Sequence, residues 1–202
     1  MIARMDARAA EIALASRSPR RRSLLAEHGF TVLCLESGIE DDDLERGRAT
    51  PAEWAVSLAY LKARAAADKT PSGWTKPVLG ADTTCVLDGE CIGKPRDERD
   101  AARILTSFVG RSHEVITGVA VLREGGRILF ADRAVVTLGE LPRRELDAYL
   151  ESGLWRGKAG AYNLSERIEA GWPITHTGDW TTIVGLPMGR LVPLLARTEA
   201  AA

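Results

Sequence analysis

The chain has 202 residues, 45% of them hydrophobic and 27% charged, enough for one folded domain whose core needs no disulfide or metal staple. Its 27 Lys+Arg against 28 Asp+Glu leave a net charge of -1, which excludes a general nucleic-acid binder. Any anion site must therefore be a local cluster of cations.

No apolar run reaches the roughly 20 residues of a membrane span. Residues 1–16 contain no signal-peptide core. Cys34, Cys85 and Cys91 form no CxxC pattern and have no close histidine, so they read as reduced thiols and not as a disulfide frame or zinc site. A soluble cytoplasmic protein with no membrane or nucleic-acid partner is the expectation.

In chain order, Ile12–Ala15 is an apolar run suited to a buried strand. Ser18-Pro19 then opens a helix that Gly29 closes, and Phe30–Leu35 follows as a second strand. Glu36–Arg48 is a polar, acidic loop. Thr50-Pro51 starts a long helix through Trp54, Leu58, Leu61 and Ala65. Pro77–Leu87 is the most strand-like stretch, and Asp88-Gly89 is a hairpin signal leading into Cys91-Ile92. Arg99–Phe108 has helical spacing. Glu114–Leu122 and Ile128–Leu138 form two long strands around Glu124-Gly125-Gly126. A short helix over Pro142–Leu150 and a closing helix over Pro187–Leu195 flank a stretch, residues 157–183, that reads as irregular with brief extended pieces. The order is mixed α/β, and the hairpins imply a mixed sheet.

Three segments break local rules. Ser16-Arg17-Ser18-Pro19-Arg20-Arg21-Arg22 places arginines in a first helical turn, where the backbone amides already carry partial positive charge. A bound anion would repair that, since amides, hydroxyls and guanidinium forks all suit phosphate oxygens; a solvated basic turn is the alternative. Glu40-Asp41-Asp42-Asp43 is either a solvated loop or a source of carboxylates for a hard cation. In Val78-Leu79-Gly80-Ala81-Asp82-Thr83-Thr84 a carboxylate interrupts an apolar strand, so Asp82 is a turn cap or a buried, partnered acid. Gly93-Lys94-Pro95 follows, with a lysine that is on the surface or part of the same site. Taken together, these residues suit phosphoryl transfer on a metal-bound polyphosphate. There is no GxSxG, P-loop or GxGxxG to indicate another chemistry.

The stretches IALASRSPRRRSLL, ADTTCVLDGECIGKP, GRSHEVITGVAV, GKAGAY and VGLP resemble, in order, the Maf family of nucleoside triphosphate pyrophosphatases. The similarity runs from Ile12 to Leu195. It implies a single elongated α/β domain over residues 11–197, with a mixed, curved central sheet flanked by helices as in inosine triphosphatase-like proteins. Residues 1–10 and 198–202 are expected as a flexible extension and tail. The resemblance also implies hydrolysis of the α–β phosphate bond, a divalent cation (Mg2+, with Mn2+ or Co2+ as alternatives) and a homodimer. The family's binding serines and arginines fall on Ser16, Ser18, Arg20 and Arg21. Its lysines fall on Lys62 and Lys94, and its acids on Asp41 and Asp82. In that reading Asp41 and Asp82 hold the metal, and Asp82 positions or deprotonates the attacking water.

Ser18-Pro19-Arg20-Arg21 and Gly80-Ala81-Asp82-Thr83 are similar to the dTTP/UTP branch, which places Thr83 at the substrate. The branch acting on 7-methyl-GTP more often has a tryptophan after the proline and a G-S-D-Q pattern. After Ala159-Gly160-Ala161-Tyr162 this chain departs from A-G-x-Y-G-I-Q, with Ser165 where glutamine is expected. A hydroxyl reaches less far toward a base edge than an amide, and Glu166 is a neighbouring substitute. Trp155, Trp172 and Trp180 are expected in the core or an interface in preference to a base-stacking role. Two rival readings remain: the same chemistry on 7-methyl-GTP or another modified nucleotide, and a nucleotide-binding regulator of cell division. Asp82 and Lys94 favour the enzyme, because a sensor needs no activated water.

Overall fold

The four apolar residues of β1 (Ile12–Ala15) pair in parallel with β2 (Val32–Leu35) on one side and with the start of β3 (Val78–Leu87) on the other. The computed structural model describes residues 11–39 and 44–199, with side chains through 196. Asp41, the 1–10 extension and residues 200–202 lie outside the described residues.

β3 then turns through Asp88-Gly89, both at positive φ (52° and 82°), into β4 (Glu90–Ile92). This is the tight hairpin that the Asp-Gly pair implies. β5 (Arg111–Arg123) and β6 (Gly126–Leu138) form a 13-residue antiparallel hairpin, and β7 (Ile174–Thr177) adds to its edge. The sheet order is β2-β1-β3-β5-β6-β7, with β4 also on β3, so the sheet is mixed as expected.

The helices begin where their caps dictate. α1 (Pro19–Glu27) has Ser18 as N-cap and proline at its start. α2 (Pro51–Ala67) opens with a reciprocal capping box between Thr50 and Glu53. α3 (Glu98–Phe108) is capped by Asp97. α4 (Arg143–Glu151) follows β6.

The stretch 157–183, expected to be irregular, contains a 3-10 turn at Ala159–Ala161, α5 (Leu164–Glu169), β7 and α6 (Trp180–Val184). Asn163 and Asp179 cap those two short helices, a local signal that the tryptophans and glycines obscured. α7 (Met188–Glu199) continues through Thr198 and Glu199, beyond where the tail was expected to begin.

The two faces of the sheet are covered differently. On one face α2 crosses β3 and β5 at very short range. A Cβ on Gly80 would stand 2.1 Å from the Ala59 carbonyl oxygen, and one on Gly118 would stand 2.2 Å from Ala55 C. Both glycines are therefore required by the close approach of helix backbone to strand backbone.

On the other face the core divides. Leu79, Ala81, Val119 and Val121 pack with Leu25, Leu186 and Leu191 near α1 and α7. Cys85 and Val115 pack with Phe108, Leu146 and Trp172 near α3 and α4. Between the two clusters the same rows carry polar groups: Thr83 on β3, Thr117 on β5 and Asp132 on β6, in register. Thr83, the β3 member of this strip, lines a cleft.

Candidate active site

Among the described residues, β3 pairs with β5 from Val78 to Val86, but its other edge is paired only at its two ends. β1 pairs with Val78 and Leu79, and β4 pairs from Cys85 onward. Residues 80–84 lie in the gap, and the Ala81 carbonyl accepts a hydrogen bond from Arg21 Nη1 at 2.7 Å instead of from a strand. A buried carbonyl left without a donor is costly, so this arginine replaces a missing strand partner.

Arg21 is further anchored by Nε to the Gly185 carbonyl (3.0 Å), Nη1 to Ser16 Oγ (3.4 Å) and Nη2 to Thr83 Oγ1 (3.0 Å). It joins α1, β3 and the turn after α6. Much of its donor capacity serves the protein, a division of labour that the basic run alone did not disclose.

Asp82, one residue on, is 5% exposed, and its Oδ1 accepts a hydrogen bond from Lys62 Nζ at 2.7 Å. Lys62 comes from α2, on the face where Gly80 and Gly118 admit the helix so closely. Asp82 is thus a buried acid with a cationic partner, and the turn-cap alternative is excluded. Its Oδ2 accepts no hydrogen bond among the described residues.

A cavity of about 240 Å³ opens at this point. Among the described residues, five basic side chains line it (Arg20, Arg21, Lys62, Lys94 and Lys158) against one carboxylate, Asp82. With a net charge of -1 for the whole chain, this is the local cation cluster that an anion site requires. Arg20 and Lys94 are exposed and make no hydrogen bond or ion pair among the described residues. Ser18 and Thr83 also line the cavity. A second cavity shares Ser18, Arg21, Lys62 and Lys94 with the first and extends past Ser16 toward Glu36 and Gly38. The structure brings together all the sequence-expected site residues except Asp41, which is not described.

The far end of the first cavity is less polar, with Cys85, Val115, Tyr162, Ile183 and Val184 in its wall, and Ser165 presented there by α5. Cys85, read from sequence as a reduced thiol, is both core and cavity wall, and burial pushes its pKa up to about 12. Sequence reasoning missed Lys158, which pairs with Glu166 in a short charged contact, and Tyr162. The GKAGAY stretch contained both, but only the fold shows that the Gly160 amide bonds the Gly93 carbonyl at 3.1 Å and so draws this loop to Lys94. Trp155 and Trp172 are buried in the core, as expected, and none of the three tryptophans lines the cavity.

Behind Tyr162, its hydroxyl lies 3.0 Å from His113 Nε2, and the His113 ring stacks on Phe108 at 4.0 Å between centroids. Burial lowers the His113 pKa to about 4.

No group of three or more His, Cys, Asp or Glu side chains that could hold a metal alone exists among the described residues. One carboxylate oxygen open beside a polyphosphate-sized cationic cleft does fit magnesium, which takes one or two carboxylates and completes its shell with phosphate and water. No helix among the described residues is long and apolar enough to cross a membrane.

The chain was compared with known proteins. The family model described as Maf-like protein matches residues 11–198. A dTTP/UTP pyrophosphatase of Symbiobacterium thermophilum is 37% identical over 187 residues, 93% of this chain and 93% of its own. One from Cereibacter sphaeroides is 43% identical, covering 91% of this chain and 92% of its own, and one from Ruminiclostridium cellulolyticum is 39% identical, covering 92% and 95%. With the model match spanning nearly all of the described residues, this chain belongs to the Maf family.

Proposed function

We propose that this protein hydrolyses nucleoside triphosphates, dTTP and UTP first among them, at the α–β phosphate bond, giving the monophosphate and pyrophosphate and clearing unwanted nucleotides. The observation that carries this reading is the Lys62–Asp82 pair at 2.7 Å in a cavity walled by Arg20, Arg21 and Lys94. Relatives named dTTP/UTP pyrophosphatase at 37–43% identity support the substrate class.

In this mechanism Lys62 holds Oδ1 of Asp82, leaving Oδ2 to orient a water and accept its proton. The water oxygen forms a bond to the α-phosphorus as the bond to the bridging oxygen breaks, and pyrophosphate leaves. Arg20 and Lys94 take the growing negative charge on the bridging and leaving oxygens, where fixed cations contribute most to rate. Arg21, tied to the Ala81 and Gly185 carbonyls, keeps the α1 turn and Ser18 against the phosphates. Asp82, with Asp41, would hold the divalent cation, magnesium in this reading, which supplies Lewis-acid charge neutralisation at the phosphates when bound. The base occupies the less polar end beside Val115, Tyr162 and Ser165. On the same reading residues 11–197 act as one domain, in the cytoplasm, as a homodimer.

Purified protein incubated with Mg2+ and a panel of UTP, dTTP, the other common triphosphates and 7-methyl-GTP tests this. Monophosphate without diphosphate from UTP and dTTP, lost on adding EDTA, is the expected result. Turnover of 7-methyl-GTP alone would retain the chemistry and overturn the substrate. Binding without turnover of any member would overturn the enzyme reading in favour of a nucleotide-binding regulator.

A further inference from the structure

The polar strip between the two core clusters contains a chain of hydrogen bonds whose direction is fully determined. Thr117 is 0% exposed, and its hydroxyl donates to the Thr182 backbone carbonyl at 2.7 Å, since a carbonyl can only accept. A hydroxyl has one proton. In its 2.8 Å contact with Thr83 Oγ1, Thr117 must therefore be the acceptor and Thr83 the donor. Arg21 Nη2, which can only donate, takes one lone pair of Thr83 Oγ1 at 3.0 Å. Thr83 has then spent its proton, and one lone pair remains.

That lone pair belongs to a residue of the cavity wall. Thr83 shares a face of β3 with Cys85, and Thr117 shares a face of β5 with Val115, so the strip borders the less polar floor where the base is placed. We infer that Thr117 is a positioning residue for substrate choice: it fixes Thr83 as an acceptor only, which suits the N3–H of a uracil or thymine and opposes cytosine, whose N3 is itself an acceptor. This rests on the proposed pyrophosphatase function and supplies a source for its base preference. Thr117 lines neither of the two cavities described above and needs no substrate contact. Thr182 extends the anchor, donating through Oγ1 to Asp132 Oδ2 at 2.5 Å on the neighbouring strand.

The test compares kcat/KM for UTP and CTP in the wild-type enzyme, Thr117→Val and Thr117→Ser, with melting temperature followed for each. Valine keeps the shape and removes the hydroxyl, freeing the Thr83 proton to face the cleft. The expected result is a preference for UTP in the wild type that falls about tenfold in Thr117→Val, the worth of roughly one hydrogen bond, and returns in Thr117→Ser. If both substrates lose activity in equal proportion in Thr117→Val, the residue is merely structural and the inference is overturned. A wild type that hydrolyses UTP and CTP equally well also overturns it, while leaving the pyrophosphatase reading intact. A wild type that hydrolyses neither overturns both. If Thr117→Val does not fold, Thr117→Cys, a weaker donor of similar size, carries the same comparison with the same expected fall.

Discussion

Lys62 Nζ stands 2.7 Å from Asp82 Oδ1, and both side chains are largely withdrawn from water, at 12% and 7% exposure. The pair joins α2 to Asp82, the one carboxylate among the described residues that line the first cavity, so the helix that covers one face of the sheet also sets the orientation of the proposed base.

Replacing Asp82→Asn should lower turnover of UTP by about 10²- to 10⁴-fold, the usual worth of a general base. Asparagine retains an oxygen for Lys62, so the loss of stability should stay within about 1–3 kcal/mol. Lys62→Ala strands the carboxylate in a nearly buried site and should cost more, about 3–5 kcal/mol. Product assays paired with urea denaturation check both. Asp82→Asn turnover within a few-fold of wild type would remove Asp82 from the mechanism.

Gly118→Ala should damage the site through α2, since Gly118 lies opposite Asp82 in register and on the face that the helix covers. Its methyl would stand 2.2 Å from Ala55 C, against backbone that cannot rotate away, so α2 must shift. A loss of about 1–3 kcal/mol or more is expected, together with reduced activity because Lys62 moves with the helix. Denaturation midpoints and kcat are the measurements. Full activity at undiminished stability would mean that α2 is not held as closely as the distances indicate.

The stacking of His113 on Phe108 predicts a pH dependence. Burial lowers its pKa from 6.5 to about 4 in the folded protein, whereas the unfolded chain protonates near 6.5. Between these values the unfolded state binds more protons. This contribution to stability is therefore complete above about pH 6.5 and is lost as pH falls toward 4, on the order of 3 kcal/mol in total. His113→Gln, which keeps a polar group for Tyr162, should flatten that part of the stability curve relative to wild type. Parallel curves from pH 7 to 4 would refute the assignment.

The Cys34 and Cys85 thiols should differ sharply in reactivity. Cys34 is exposed, while Cys85 is buried with its pKa raised to about 12. Alkylation requires thiolate, so at pH 8 iodoacetamide should label Cys34 readily and leave Cys85 unmodified until the protein unfolds. Peptide mass mapping over time decides this, and rapid native labelling of Cys85 would contradict its burial.

The local elements were largely legible in the chain. Ser18-Pro19 and Thr50-Pro51 start helices where their caps dictate, and Asp88-Gly89 turns a hairpin because two positive-φ positions suit those residues. Asp82 was conspicuous because a carboxylate within an apolar strand needs a reason, and Arg20 and Arg21 because a helix start repels cations. The short helices at 164–169 and 180–184 are not legible from periodicity, since one turn or two of helix leaves no periodic pattern to read.

Partnerships across the chain belong to the tertiary structure. Lys62 lies 20 residues from Asp82, the Arg21 guanidinium reaches a carbonyl 164 residues away at Gly185, and Thr117 meets Thr83 across a strand pair. Local propensity and periodicity describe a residue's own neighbourhood, and they decided where strands and helices form and which residues were anomalous. Sheet order and register decide which anomalies meet. Here they leave residues 80–84 of β3 without a strand on one edge, and the arginine, the acid and the threonine of the site gather at that gap because its backbone and its charge both need partners.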